Sequence, residues 1–167
     1  MNARRWVAAF VFVSALAGAT PAAADCTDAA KAGVDWRRCR MDQRDLGGVA
    51  LVGALLREAS FLRADLSRAD LSRAEAFRGK FISARLAGAV LAGARLAEAD
   101  FTRADLAGAD LREADLRRAR FFHASLKGTN LSDAQITGAD FNGADLSGAT
   151  WTDGRTVCAE GSLGQCN

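Results

Sequence analysis

The stretch Ala64-Asp65-Leu66-Ser67-Arg68-Ala69-Asp70-Leu71-Ser72-Arg73 states one five-residue unit twice. Read outward, the unit runs from Leu46 to Trp151 as twenty-two consecutive centres: fourteen Leu, five Phe, Ile136, Trp151 and one small exception, Ala76. Ala stands two residues before the centre in eighteen of them, so the unit is A-(D/N/R)-(L/F)-x-x. An unbroken internal repeat settles the architecture before any other feature is weighed.

The Ala, Leu and Arg content favours helix by propensity, but the spacing does not. A step of five turns a helical side chain by about 140°, so the centres would circle the helix. In an extended chain, residues two apart share a side. Ala and the centre then point inward, the residue between them points out, and the last two residues turn a corner. Gly fills the second corner position in Gly88, Gly93, Gly108, Gly128, Gly138, Gly143 and Gly148, where positive φ is cheap.

A second period sets the number of sides. Phe61, Phe81, Phe101, Phe121 and Phe141 recur every twenty residues, with Met41 in phase. Leu51 to Leu131, ending in Trp151, form a second column; Leu46 to Leu146 form a third. The fourth is mixed: Trp36, Leu56, Ala76, Leu96, Leu116 and Ile136. Four units make one coil, and about six coils at roughly 4.8 Å each predict a rod about 25–30 Å long. Ala recurs because four bulky centres crowd a narrow interior. Ala76 and Gly79 fall together, so that coil is expected to be under-filled.

The repeat from Trp36 to Trp151 resembles the pentapeptide repeat family, whose signature is A-(D/N)-L-x-x. That resemblance implies an all-β fold, a right-handed quadrilateral β-helix. The tail from Ala149 to Asp153-Gly154, with Cys158 and Cys166-Asn167, looks like an ending common among exported members of the family. Its best understood soluble members mimic DNA and bind type II topoisomerases.

Arg4 and Arg5, the uncharged stretch from Trp6 to Ala19, and Ala22-Ala23-Ala24 read as a signal peptide over residues 1–24. A cap and partial coil are expected over 25–45, the β-helix over 46–151, and a C-terminal cap over 152–167. Removing Arg4 and Arg5 leaves 20 basic and 20 acidic residues, a net charge of zero. A DNA mimic needs a strongly negative surface and a DNA binder a positive one, so neither nucleic-acid role is expected. Export points to the periplasm or the medium, where Cys26, Cys39, Cys158 and Cys166 form disulfides by default. Bridged Cα atoms lie within about 7 Å, and the rod separates its ends by more. Cys26–Cys39 and Cys158–Cys166 is therefore the expected pairing, bracing the two caps.

Outward residues twenty apart should stack into ladders. Arg38, Glu58, Arg78, Glu98 and Arg118 alternate in charge along one corner. Glu113, Asp133 and Asp153 form an acidic column, read as solvated acids with a weak Ca²⁺ site as the lesser alternative. Leu62, Ile82, Thr102 and Phe122, with Phe77 on the neighbouring side, form an apolar strip where the repeat otherwise carries polar or small residues. Such a strip marks a contact surface, unless the stems of Arg63, Arg78 and Arg103 cover it. The lone His123 beside it has no nucleophile or acid partner in a recognisable motif. The sequence thus reads as a non-enzymatic structural or protein-binding module of the cell envelope, with no cofactor and no metal. Its partner is an unknown envelope protein or a second copy, and Leu62, Phe77, Ile82 and Phe122 are the candidate contacts. The alternatives are a topoisomerase-binding DNA mimic and a periplasmic cation-binding protein or enzyme.

Overall fold

The computed structural model describes residues 26–167; the expected signal peptide lies outside them. The chain winds as a β-helix in which each residue preceding a centre bridges the residue twenty positions on, in parallel. Twenty such bridges run from Asp35↔Leu55 to Asn130↔Thr150 among the described residues. Each twenty-residue coil therefore has four extended sides and four corners.

One unit shows how the backbone is satisfied. The Leu66 N–H donates to the Arg85 carbonyl (2.7 Å) and the Arg68 N–H to the Ala87 carbonyl (3.0 Å), both in the following coil. The Asp65 N–H donates back to the Arg44 carbonyl at 2.9 Å. The corner closes when the Ala69 N–H donates to the Leu66 carbonyl at 3.0 Å. The second corner residue is left-handed at every unit from Gly33 to Gly148, with φ between 55° and 72°. That is the third position of a type II turn.

Glycine is not required for this conformation. Arg63, Arg68, Arg73 and Arg78 turn four successive corners with φ of 55–58°, although a left-handed residue with a Cβ costs about 1–2 kcal/mol. Some arginine stems lie over a glycine corner of the following coil. A methyl built on Gly93 would lie 3.7 Å from Cγ of Arg73, and one on Gly138 would lie 3.4 Å from Cγ of Arg118. The arginine stem lies over the bare glycine below it.

The core follows the two-residue alternation. The centres and the preceding Ala residues are buried through the middle of the rod, and Met41, Phe61, Phe81, Phe101 and Phe121 are among the largest fully buried side chains. The five Phe rings stack with centroids 4.9–5.1 Å apart and planes within 2–8° of parallel. Their spacing is that of the coils. Thr129, buried at an Ala position, donates its hydroxyl to the Leu106 carbonyl at 2.9 Å. Arg44, also at an Ala position, is exposed, whereas Val34 and Cys39 at the same position of the first coil are buried.

In the coil with Ala76 and Gly79, the space beside Gly79 is taken. A methyl on Gly79 would sit 2.9 Å from Cε2 of Phe81 and 3.0 Å from the Ala76 carbonyl oxygen. The Phe81 ring occupies that space, so the two small residues accommodate the aromatic column.

Both ends are stapled. Cys26–Cys39 ties the leading segment to the first coil, where the Trp36 indole N–H donates to the Asp28 carbonyl at 3.3 Å. At the other end the tail doubles back antiparallel, with bridges Thr150↔Val157 and Asp145↔Leu163. The Trp151 and Leu146 N–H groups donate to the Thr156 and Ser162 carbonyls at 2.7 and 2.8 Å. Cys158–Cys166 closes this tail on itself. It covers two sides of the last coil, and Ile136, Ala139 and Trp151 stay half-buried.

Gly79→Ala is expected to lower stability by about 1–2 kcal/mol through overpacking against Phe81, read as a shift of the thermal or denaturant midpoint. Replacing Cys158 and Cys166 by Ser should cost about 2–3 kcal/mol, measured by denaturant unfolding of the oxidised proteins.

Candidate functional site

The surface is built from the three positions of each unit that do not fill the core. The residue before each centre, expected simply to point outward, also has a backbone role. Where it is Asp or Asn, its Oδ1 accepts the N–H of the first corner residue: Ser67 to Asp65 (2.9 Å), Thr102 to Asp100 (2.9 Å), Ser132 to Asn130 (3.0 Å) and Asn142 to Asp140 (3.0 Å). This is an Asx turn, and it explains why the repeat favours Asp and Asn there. The residue types carried that signal, but periodicity alone did not reveal it. Ser60 breaks the pattern, and a different residue compensates. Asp42, one coil earlier, accepts the Leu62 N–H at 3.0 Å and the Ser60 hydroxyl at 2.5 Å.

The corner ladder forms with one gap. Arg38 meets Glu58 at 3.1 Å, Arg78 meets Glu98 at 2.8 Å, and Arg118 reaches Glu98 at 3.9 Å. The step from Glu58 to Arg78 has no salt bridge, since Arg78 leans over the Phe77 ring, 4.8 Å from its centroid. Further ladders join Arg85 to Asp65 at 2.7 Å, Arg95 to Glu75 at 3.2 Å and Arg120 to Asp100 at 3.1 Å. Exposed pairs like these contribute little each.

The acidic column does not gather into one site. Asp153 caps the turn into the tail, accepting the Arg155 N–H at 3.0 Å, the Thr156 N–H at 2.8 Å and the Thr156 hydroxyl at 2.6 Å. Among the described residues no group of three or more His, Cys, Asp or Glu is placed to hold a metal ion.

Leu62, Phe77, Ile82 and Phe122 are all half-buried and not fully exposed. The arginines that cover Phe77 are Arg57, 5.8 Å from the ring centroid, and Arg78. Phe122 is edge-on to the ring of His123, with centroids 4.2 Å apart. His123 is exposed and lies over Gly143, whose missing side chain leaves it room. Leu62 and Ile82 form the apolar part of the lining of an open hollow of about 400 Å³, which Arg38, Asp42, Glu58 and Lys80 also line. Among the described residues, the large apolar groups with the greatest exposure are Val157 and Leu163 in the tail, each 62% accessible.

The pentapeptide repeat model matches residues 37–73, 80–118 and 114–150 in eight copies, more than half of the chain. The chain belongs to the pentapeptide repeat family. It is 32% identical to HetL, a pentapeptide repeat protein involved in heterocyst differentiation regulation in the cyanobacterium Nostoc sp. strain PCC 7120, with a TM-score of 0.50. That match covers 73% of this chain and spans 63% of HetL. The pentapeptide repeat protein Rfr23 of the cyanobacterium Cyanothece 51142 matches at 21% identity and a TM-score of 0.50, over 72% of this chain and 89% of its own. A pentapeptide repeat protein of the Arabidopsis thaliana thylakoid lumen matches at 33% identity and a TM-score of 0.35, over 60% and 82% of the two chains. No curated protein matches the sequence.

Two carboxylates tie the repeat's stability to pH. Thr156 and Arg155 hold Asp153 at about 2, the Thr156 hydroxyl foremost, and Ser67 followed by Arg85 holds Asp65 at about 2. Both lie below the ordinary 3.8, so their stabilisation is complete above about pH 4 and is lost as pH falls through about 2. The melting temperature should drop across that window, and less steeply in Asp153→Asn and Asp65→Asn, measured by thermal melts from pH 5 to 2.

Proposed function

We propose that this pentapeptide repeat protein is an exported, non-enzymatic, protein-binding module of the bacterial envelope. In this reading the rod winds right-handed in about six coils and presents its partner with the strip of Leu62, Ile82 and Phe122, flanked by Phe77. The observation that carries it is the strip itself. Large apolar side chains stand half-buried at first-corner positions, where other units place Ser67, Ser72 or Ala107. Nothing in the core requires them there, whereas a contiguous apolar strip beside charged ladders suits a protein contact.

Export is supported by the two disulfides and by the absence of any free cysteine among the described residues, as expected for an oxidising compartment. No helix of the described residues is long and apolar enough to cross a membrane. A binding role without catalysis is supported by the surface chemistry. The charged side chains of the ladders are committed to one another, and His123 stands edge-on to the ring of Phe122.

In-cell crosslinking followed by pull-down from the periplasmic fraction tests the reading, with Leu62→Glu/Ile82→Glu/Phe122→Glu as the control. A specific adduct that the wild type forms and the variant loses is the expected result. Identical adducts from both proteins, or none from either, would remove the strip from consideration as a contact surface.

A further inference from the structure

The side of the rod between the Arg78 corner and the Ile82 corner carries a column whose charges are nearly antisymmetric: on reversal, opposite signs meet. Parallel bridges stack Arg40, Ser60, Lys80, Asp100, Arg120 and Asp140 in that sequence along its centre. If the column is reversed about the level midway between Lys80 and Asp100, Lys80 falls opposite Asp100, Arg40 opposite Asp140, and Ser60 opposite Arg120. No charged residue meets its own sign.

The two flanking columns reverse about the same level. On one rim Arg78 falls opposite Glu98 and Glu58 opposite Arg118. On the other rim Leu62 falls opposite Phe122, Ile82 opposite Thr102, and Asp42 opposite Asn142. The apolar groups meet each other, and the polar ends of that rim meet as well.

We infer that this side is the interface of an antiparallel homodimer, with the two-fold axis lying in the interface between the coils of Phe81 and Phe101. This operation leaves each column facing itself in reverse, so the three coincidences are the pairings the symmetry requires. An isologous interface of this kind closes as a dimer. The parallel arrangement fails on charge, because it would set Lys80 against Lys80, Asp100 against Asp100 and Arg120 against Arg120. Of the two neighbouring sides, the one after the Ile82 corner also fails. Its stacked column of Asp45, Asp65, Arg85, Asp105, Ser125 and Asp145 places Asp45 opposite Asp145 on reversal.

Within one chain the side is electrostatically incomplete. Among the described residues no salt bridge is recorded for Lys80 or for Asp140, while Asp100 is held by Arg120 at 3.1 Å and Arg40 only by Asp42 at 3.4 Å. A second copy supplies a carboxylate to Lys80 and a guanidinium to Asp140, and it covers the apolar wall of Leu62 and Ile82. The inference rests on the strip being a contact surface and names the partner as a second copy of this chain.

Sedimentation equilibrium of the oxidised protein, expressed from the full sequence, tests it. A concentration-dependent dimer is expected, with a dissociation constant on the order of micromolar, weakening as salt rises. Lys80→Glu, which places a like-charged pair at two symmetry-related points, should weaken it at least tenfold, with an unchanged melting temperature at concentrations where both proteins are monomeric. Register is read separately: Leu62→Cys protein mixed with Phe122→Cys protein should give a covalent heterodimer, and neither variant should crosslink alone. A wild type that stays monomeric to about 100 µM overturns the self-pairing. So does a dimer indifferent to Lys80→Glu, or crosslinking of Leu62→Cys with itself. A monomer that still yields a strip-dependent adduct in the pull-down would overturn only the self-pairing and leave the contact surface standing.

Discussion

Every extended segment of this protein finds its hydrogen-bond partners one full coil away. The Leu66 N–H looks forward to Arg85 and the Asp65 N–H looks back to Arg44, so no coil satisfies its own backbone except at the corners. Such a structure is stable only as a stack, with each coil contributing an interface to its neighbours. The ladder also enforces the register. Once residue n bridges residue n+20 at one side, the corners fix the same offset at the others, and every side chain joins a column. The Phe stack, the Arg–Glu ladder and the small residues around Phe81 all follow from that offset. The ends are where the stack runs out of neighbours, and there the chain uses disulfides, a doubled-back tail and the Asp153 turn.

The corners impose the second constraint. A side of five residues closes only if one residue in five is left-handed, and fourteen non-glycine residues take that conformation. The conformational cost is offset locally. The turn carbonyl accepts a hydrogen bond, the left-handed residue donates to the next coil, and Asp or Asn ahead of the centre caps the first corner N–H. The signature residues of the repeat therefore serve the backbone as much as the core.

A chain so constrained has few positions left for a message, and the message lies in how the outward columns are ordered. A net charge near zero excludes a strong field of either sign, but it says nothing about arrangement. The Lys80 side and the Asp45 side are built on the same backbone with similar residue types. Only the first can face its own reverse without repulsion, and it is also the side bordered by Leu62, Ile82 and Phe122. Affinity from such a surface comes from the apolar strip, with the charges choosing orientation.

The period of five, the period of twenty, the identity of the core residues and the membership of each column were legible in the sequence, because a regular winding turns spacing directly into position. The alternation of the Arg38 to Arg118 corner could be read off in the same way. What the three-dimensional structure decided is how each outward side chain is engaged. Asp65 and Asp100 cap turns, Asp42 replaces a missing cap beside Ser60, and Arg78 leaves one rung of the ladder for Phe77. Arg57 joins Arg78 over that ring, and the space beside Gly79 is taken by Phe81. These outcomes depend on rotamers competing for neighbours across adjacent coils. The column order is present in the chain as text, but its facing partners exist only once the coils are stacked.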